Sequence, residues 1–302
     1  MAGLAVVHLV RKQNGFVPFE RFLKSYRQCA AVAPHELVVL YKGFRNADDV
    51  REHEALLGNL PYRAEFIPDH GYDLHAYFGA VQRLDYERFC FLNSYSRILA
   101  HGWLDKLEQA LSDSGVGLVG ATGSWQSMAG GYTDRQRLVS AQQTARMRRE
   151  RVVDLLQERR PGMRAQRAWN WILRGLGVWR PTRDFPPYPN YHLRTNAFMG
   201  ARATLLRIRL EAMRIKQSAY KFESGNNSMT RQVFALGLSA RVVGADGRAY
   251  APEQWHLSNT FWQSRQENLL VADNQTELYA AANADGRHEL ADLAWGESAR
   301  PA

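Results

Sequence analysis

The stretch RFCFLNSYSRIL, residues 88–99, decides the fold. Its first half, Phe89-Cys90-Phe91-Leu92, is an apolar run suited to a strand covered on both faces. Directly after it come Asn93, Ser94, Tyr95, Ser96 and Arg97: an amide, two hydroxyls, a phenol and a guanidinium. A buried strand that ends abruptly in hydrogen-bonding groups delivers them to the mouth of a sheet, where open α/β folds hold their ligands.

The flanking sequence repeats the pattern. AVVHLV (5–10), HELVVLYKGF (35–44), RAEFIPD (63–69), YERFCFLN (86–93) and VGLVGAT (116–122) read as strands. Between them, VPFERFLKSYRQC (17–29), DDVREHEALLGNL (48–60), LHAYFGAVQRL (74–84) and GWLDKLEQALSD (102–113) carry apolar residues at helical spacing. Such alternation predicts a mostly parallel sheet, and right-handed crossovers then line up the strand ends along one edge. The order breaks between about 124 and 192, where a long helix (roughly 134–160) ends at Pro161-Gly162 and a Pro-rich stretch follows. It returns with LRTNAFMGARATLLRI (193–208), SAYKFESGNNSMTRQVFALGL (218–238) and a strand, ARVVGADGRAY (240–250). From about Asn283 the Ala-, Gly- and charge-rich tail is expected to fray.

With 302 residues, 45% of them apolar and 23% charged, the chain is long enough to bury a large core and ordinary in composition. Its two cysteines, Cys29 and Cys90, lie in apolar surroundings, which excludes a disulfide framework and fits a reducing compartment. No Cys or His spacing matches a zinc site. The opening MAGLAVVHLVRKQNG is broken by His8 and has no basic segment before its apolar run, so it reads as a first strand rather than a signal peptide. No run of about 18 apolar residues occurs. A cytoplasmic protein is expected, with room for membrane association. The net charge of +9 is local: residues 134–183 hold thirteen Arg against four acids, and the remainder sums to zero.

The sequence VRKQNGF after the first strand is no GxGxxG, and GxxxxGK[ST], GxSxG and HExxH are all absent. What remains is less regimented. Asp69, Gly71 and Asp73 form a D-x-G-x-D turn ahead of a helix. Asp73 either caps that helix or offers a carboxylate to a base or ribose. The turn lacks the downstream Glu of a calcium loop.

Taken in order, HELVVLYKGF, the DHGYDLHAY loop, FLNSYSRIL with its GWLDKL helix, VGLVGATGSW, LRTNAFM and FESGNNSMTRQV resemble a bacterial GT-A-type glycosyltransferase of polysaccharide or lipopolysaccharide biosynthesis. The likeness is one of pattern and covers about residues 5–280. It implies a GT-A-like α/β single domain, with a mostly parallel central sheet flanked by helices and a basic helical insertion. The implied division is a nucleotide-sugar-binding half (1–123), an Arg/Trp-rich insertion (124–192), an acceptor and catalytic half (193–282) and a flexible tail (283–302). The implied activity moves a sugar from a nucleotide-sugar donor to a hydroxyl of a glycan or lipid-linked acceptor. The alternative is a non-catalytic nucleotide- or carbohydrate-binding protein on the same fold.

In that family the strand at 88–93 ends in a D-x-D motif holding Mg²⁺ or Mn²⁺ against the donor diphosphate. Here the position reads Asn93-Ser94-Tyr95, and an amide and a hydroxyl are weak partners for such a cation. Either Arg side chains and backbone N–H groups stabilise the diphosphate without metal, or the site binds without catalysing. Mg²⁺ or Mn²⁺ stays an option.

The resemblance places Arg11, Asp69, Asp73, Tyr77, Asn93, Ser94, Tyr95 and Arg97 on the donor side. Arg97 is a phosphate partner or a solvated strand-end residue. Glu223, read as lying at a helix start, is the candidate base for the acceptor hydroxyl; its alternative role is to stabilise that helix. Asn196, Asn226 and Arg231 are acceptor-side candidates, Asn196 alternatively a backbone partner. His256 is a ligand to metal or diphosphate, or packing; Trp255, Phe261 and Trp262 are a sugar-facing wall, or core. In the insertion, Trp169, Trp171 and Trp179 interleave with Arg, which suits an anionic membrane surface or, more plainly, a solvated face and packed lid. Nucleic acid is not an expected partner, since no nucleic-acid motif is present.

Overall fold

The structure, a computed structural model, describes residues 3–46, 48–69, 71–129, 181–211 and 216–296. The predicted helix at 134–160 and the three insertion tryptophans lie outside the described residues.

In chain order the strands are β1 (Leu4–Arg11), β2 (Glu36–Lys42), β3 (Arg63–Ile67), β4 (Arg88–Leu92), β5 (Arg97–Ile98), β6 (Val116–Gly120), β7 (Gly123–Ser124), β8 (His192–Leu193), β9 (Ala197–Ala201), β10 (Ser239–Val243), β11 (Ala249–Tyr250) and β12 (Val271–Ala272). Eight of them make the main sheet, in the order β11-β10-β6-β9-β4-β1-β2-β3. β9 runs antiparallel between β4 and β6, and β11 is antiparallel to β10; the other pairings are parallel. Helices α1 (Val17–Gln28), α2 (Arg51–Leu57), α3 (Asp73–Arg83) and α4 (Trp103–Ser112) connect the first five parallel strands. This is the expected α/β layout, a mostly parallel central sheet flanked by helices.

β1 shows why the sheet forms. Every residue from Leu4 to Val10 is buried, as befits a central parallel strand covered on both faces. Alternation along β4 then feeds two cores. Phe89 and Phe91 enter one with Tyr77, Phe198, Trp255 and Trp295, while Cys90 and Leu92 enter the other with Phe19, Phe22, Trp103 and Met199. The Phe91 ring lies 4.9 Å from Phe198 and 4.8 Å from Tyr77. α3 presents Leu74, Tyr77, Phe78 and Val81 to the first core at helical spacing.

Two expectations change. ARVVGADGRAY is not one strand: Asp246-Gly247 turns it back, with Gly247 at φ +83° and Gly244 N donating to Arg248 O at 3.0 Å. A D-G pair supplies the positive φ that such a turn requires. The region after Asn283 does not fray where it is described. Asn283 accepts a hydrogen bond from Gly286 N and starts a helix, Ala284–Trp295, that buries Leu290, Ala294 and Trp295 on one face. The Trp295 indole Nε1 donates to Phe261 O at 2.7 Å. Composition hid a capped, one-sided helix.

Candidate functional site

The carboxyl ends of β1, β2 and β3 build one side of the site. Lys42, the last residue of β2, is only 1% exposed and donates from Nζ to Gly71 O at 2.6 Å. Gly43 follows at φ +81°, and a Cβ there would stand 3.2 Å from the Asp69 Cβ, so glycine lets the Asp69 loop close over the strand end. Asp69 accepts from Arg11 Nη2 at 3.4 Å and from Gln13 Nε2 at 2.8 Å. Asp73 does not cap α3. Tyr72 is the N-cap and makes no side-chain capping bond, and Asp73 is the first helical residue. Burial raises the Asp73 carboxyl above its ordinary range; Lys42 and Arg11 oppose the shift, and Glu223 adds to it. Burial likewise lowers Lys42, while Asp73 and Asp69 favour its charge. One turn along α3, Tyr77 is fully buried with no partner for its hydroxyl, and burial, then Asp73, push the phenol well up.

The other side is built by the end of β4 and the β8–β9 segment. Asn93 N donates to Asn196 O at 2.9 Å, and Ser96 Oγ donates to the same carbonyl at 3.0 Å. The Asn93 Oδ1 accepts from Tyr95 N at 2.9 Å and Ser96 Oγ at 3.1 Å, which folds the residues after β4 into an Asx turn. Tyr95 is 43% exposed on that turn, while Ser94 is buried. Thr122 Oγ1 donates to Asn196 Oδ1 at 2.6 Å, and Arg194 N donates to Thr122 O at 3.1 Å. The Arg194 guanidinium lies 4.1 Å from the Phe261 ring and donates from Nη2 to the buried Asp273 at 3.0 Å.

Glu223 links the two sides. It lies near the end of the helix Lys216–Ser224, not at a helix start; Ser228 caps the helix that follows. Its Oε1 accepts from Thr195 N at 3.1 Å and Thr195 Oγ1 at 3.2 Å. Its charge acts both on Asp73 and on His192. His192 is buried, with Nδ1 2.8 Å from Asn190 O, which fixes the proton on Nδ1. Burial lowers its pKa; Glu223 and the Asn190 carbonyl push it back up, and Arg194 lowers it. Lys42, His192, Arg194 and Thr195 were not among the sequence candidates for the site. Lys42 is hidden in the apolar run ELVVLYK, where the only signal is a cation closing a buried strand.

Other candidates stand apart. Arg97 pairs with Glu277 at 3.2 Å, half exposed, where β5 meets β12. Asn226 Nδ2 donates to Arg183 O at 2.6 Å and lines a cavity of about 210 Å³ with Arg183, Asp184, Glu211, Lys221, Phe222 and Asn227. Arg231 is exposed on the helix Met229–Ala235. Trp255, Phe261 and Trp262 are buried in the core, the last two stacked at 4.4 Å, and His256 packs 4.7 Å from Trp125.

The end of β4 does not fit a divalent cation. Asn93 has spent its oxygen on the turn, and Ser94 brings a single hydroxyl where carboxylate oxygens are wanted. Among the described residues no three His, Cys, Asp or Glu side chains converge on a point that could hold a metal ion. No helix among them is long and apolar enough to cross a membrane.

No family model and no curated protein matches the chain. Among solved structures it is similar to the mannosyltransferase PcManGT of Pyrobaculum calidifontis, solved with GDP-Man and Mn²⁺: 13% identity over 96% of this chain and 69% of that one, with a TM-score of 0.45. It is also similar to TarS of S. aureus. The 1–349 portion gives 15% identity over 38% of this chain and 34% of that one, TM-score 0.30. A further TarS structure gives 13% identity over 38% and 20%, TM-score 0.31. At these values the likeness assigns neither residues nor ligands.

Proposed function

We propose that the protein is a GT-A-type glycosyltransferase, which takes a sugar from a nucleotide donor and joins it to a hydroxyl of a glycan or lipid-linked acceptor. One observation carries the reading: the Asp73 carboxyl, at the carboxyl edge of the sheet, feels the charges of Lys42, Arg11 and Glu223, which come from three other segments. A half-buried carboxylate with one oxygen oriented by Thr195 suits a general base. Glu223 takes the acceptor proton. The freed oxygen bonds to the anomeric carbon, and the bond from that carbon to the diphosphate breaks, its electron pair leaving with the diphosphate.

On this reading residues 1–123 form the nucleotide-sugar half, with Arg11, Asp69 and Asp73 beside the donor and Tyr77 in the core beneath them, and residues 193–282 form the acceptor half. Residues 134–183, with their net +9, meet an anionic membrane surface that carries a lipid-linked acceptor. Vesicle flotation of the full chain against a deletion of 134–183 tests that part, and equal flotation removes it.

The principal test is a panel of nucleoside-diphosphate sugars read by thermal unfolding, followed by an assay for nucleoside diphosphate release. A donor that binds only the native state stabilises it by about 2.7 kcal/mol at a hundredfold excess over Kd. A stabilising donor that is also consumed supports the proposal. No shift and no release with any donor would sink it.

A further inference from the structure

β3 is the last strand of the main sheet, paired to β2 on one side and, among the described residues, to no strand on the other. Its bonds to β2 show which groups are left over. Gly43 N donates to Ile67 O at 3.1 Å, so Ile67 turns its backbone groups towards β2. Alternate residues of a parallel ladder bond to the same neighbour. Arg63 and Glu65 therefore do as Ile67 does, and Ala64 and Phe66 present their N–H and C=O to the open edge. Such an edge is a template for another strand, and the usual protections are thin. The strand RAEFI holds no Lys and no Pro, carries charge of both signs, and keeps an unbroken register with β2.

What the edge fits follows from the sequence Tyr62-Arg63-Ala64-Glu65-Phe66. Side chains alternate, so Arg63 and Glu65 stand on one face, where Arg63 Nε donates to Glu65 Oε1 at 2.9 Å. Tyr62, Ala64 and Phe66 stand on the other. Phe66 is 41% exposed although it stacks on the buried Tyr41 at 5.5 Å, and the half-buried Tyr62 is held by its hydroxyl to Glu54 at 2.7 Å.

A second copy laid antiparallel about a twofold axis at Ala64 meets this edge with complementary groups at each position. Ala64 exchanges both backbone hydrogen bonds with its symmetry mate. Arg63 faces Glu65 of the second copy in the close, non-hydrogen-bonded pair, and Glu65 faces Arg63 of that copy, so two Arg and two Glu alternate in one cluster. On the opposite face Phe66 meets Tyr62 of the second copy, which covers an exposed ring. Charge selects the register: an axis at residue 63 or 65 sets Arg against Arg or Glu against Glu. Pro61 and Pro68 close the pairing window at both ends.

We propose that the protein forms a symmetric dimer through β3, joining two eight-stranded sheets edge to edge. The proposal does not rest on the transferase reading. A strand of five residues contributes little area, so the dimer belongs to the weak, concentration-dependent class.

Sedimentation velocity of the full chain over a concentration series tests it. The wild type should pass from monomer to dimer as concentration rises. Arg63→Glu and Glu65→Arg each set like charges across the axis, and each should weaken the dimer about tenfold or more. The two variants mixed in equal amounts should recover a dimer, because one copy then offers Glu at both positions and the other Arg at both. Ala64→Cys should crosslink to its mate on oxidation, since the Cα separation of about 5.5 Å in a hydrogen-bonded pair permits a disulfide. A wild type that stays monomeric at every concentration would overturn the proposal, as would a dimer that neither charge variant weakens. Variants that dissociate but do not recombine when mixed would reject the register, and with it this dimer. Should a charge variant fail to fold, the crosslink decides: an Ala64→Cys protein that yields no crosslinked dimer rejects the pairing.

Discussion

The two sides of the candidate site handle buried charge differently. On the β1–β3 side each charge answers another: Arg11 faces Asp69, and Lys42 sits among Asp73, Asp69 and a backbone carbonyl. On the β4–β9 side the backbone is tied down by Asn93, Thr122 and Asn196. Both sides keep buried polar atoms without a partner: Arg11 Nε and the Tyr77 hydroxyl on the first, Ser94 Oγ, Asn196 Nδ2 and Arg194 Nη1 on the second. A side that is neutral within itself is built for stability and for neutral, hydroxyl-rich groups. Glu223 stands between, its carboxylate felt by Asp73 on one side and His192 on the other.

The sharpest way to break this picture is Glu223→Gln. If Glu223 is the base, turnover should fall by about 10²–10⁴-fold, the usual range for general acid–base catalysis, while the dissociation constant for the donor changes little. Loss of donor binding in step with turnover would instead mark Glu223 as part of the scaffold, through its bonds to Thr195.

The second test concerns what holds the donor-rich side in place. Trp295 is fully buried and donates to Phe261 O, and Phe261 lies under Arg194. Trp295→Ala should cost about 3–5 kcal/mol of stability by denaturant unfolding. A stability loss below about 1 kcal/mol would show that the C-terminal helix is only loosely docked.

How much of this could be read from the sequence follows from the range of each signal. Strand–helix alternation is a local pattern, so β1 to β4 and α1 to α4 were legible, as was the delivery of polar groups by the end of β4. The antiparallel insertion of β9 between β4 and β6 was not, because AFMGA carries the same apolar signal whichever way it runs. Asp69, Asp73 and Glu223 could be picked out as carboxylates beside turns. His192 could not, because β8 is two residues long and has no period to read. For Arg97 the sequence left a phosphate partner and a solvated strand-end residue open, because its partner Glu277 is 180 positions away.

Lys42→Met tests the self-neutralising side. It removes the donor to Gly71 O and the cation that most opposes the effect of burial on Asp73, so Asp73 should move further above its ordinary range. The expected destabilisation is about 1–3 kcal/mol, the cost of one unsatisfied buried acceptor. A thermally neutral Lys42→Met would mean that Lys42 waits for a ligand, and the contrast between the two sides would dissolve.

The effect cleanest in sign, and small at neutral pH, belongs to His8, inside β1 beneath the first side. It has no hydrogen-bond partner at either ring nitrogen and stacks on Phe22 with centroids 3.7 Å apart. Burial holds its pKa down at about 3, against 6.5 for an ordinary histidine. Between those values the unfolded chain binds a proton that the folded chain refuses, so stability rises with pH through the window and is complete above it. Descending from 6.5, His8 should remove about 1.4 kcal/mol per pH unit. His8→Leu takes that proton uptake away, so the acid unfolding midpoint should drop while stability at pH 8 changes by less than about 1.5 kcal/mol, as for a volume-conserving swap. An unaltered acid midpoint would mean that His8 finds a partner when charged, and that charge can be accommodated beneath the paired side after all.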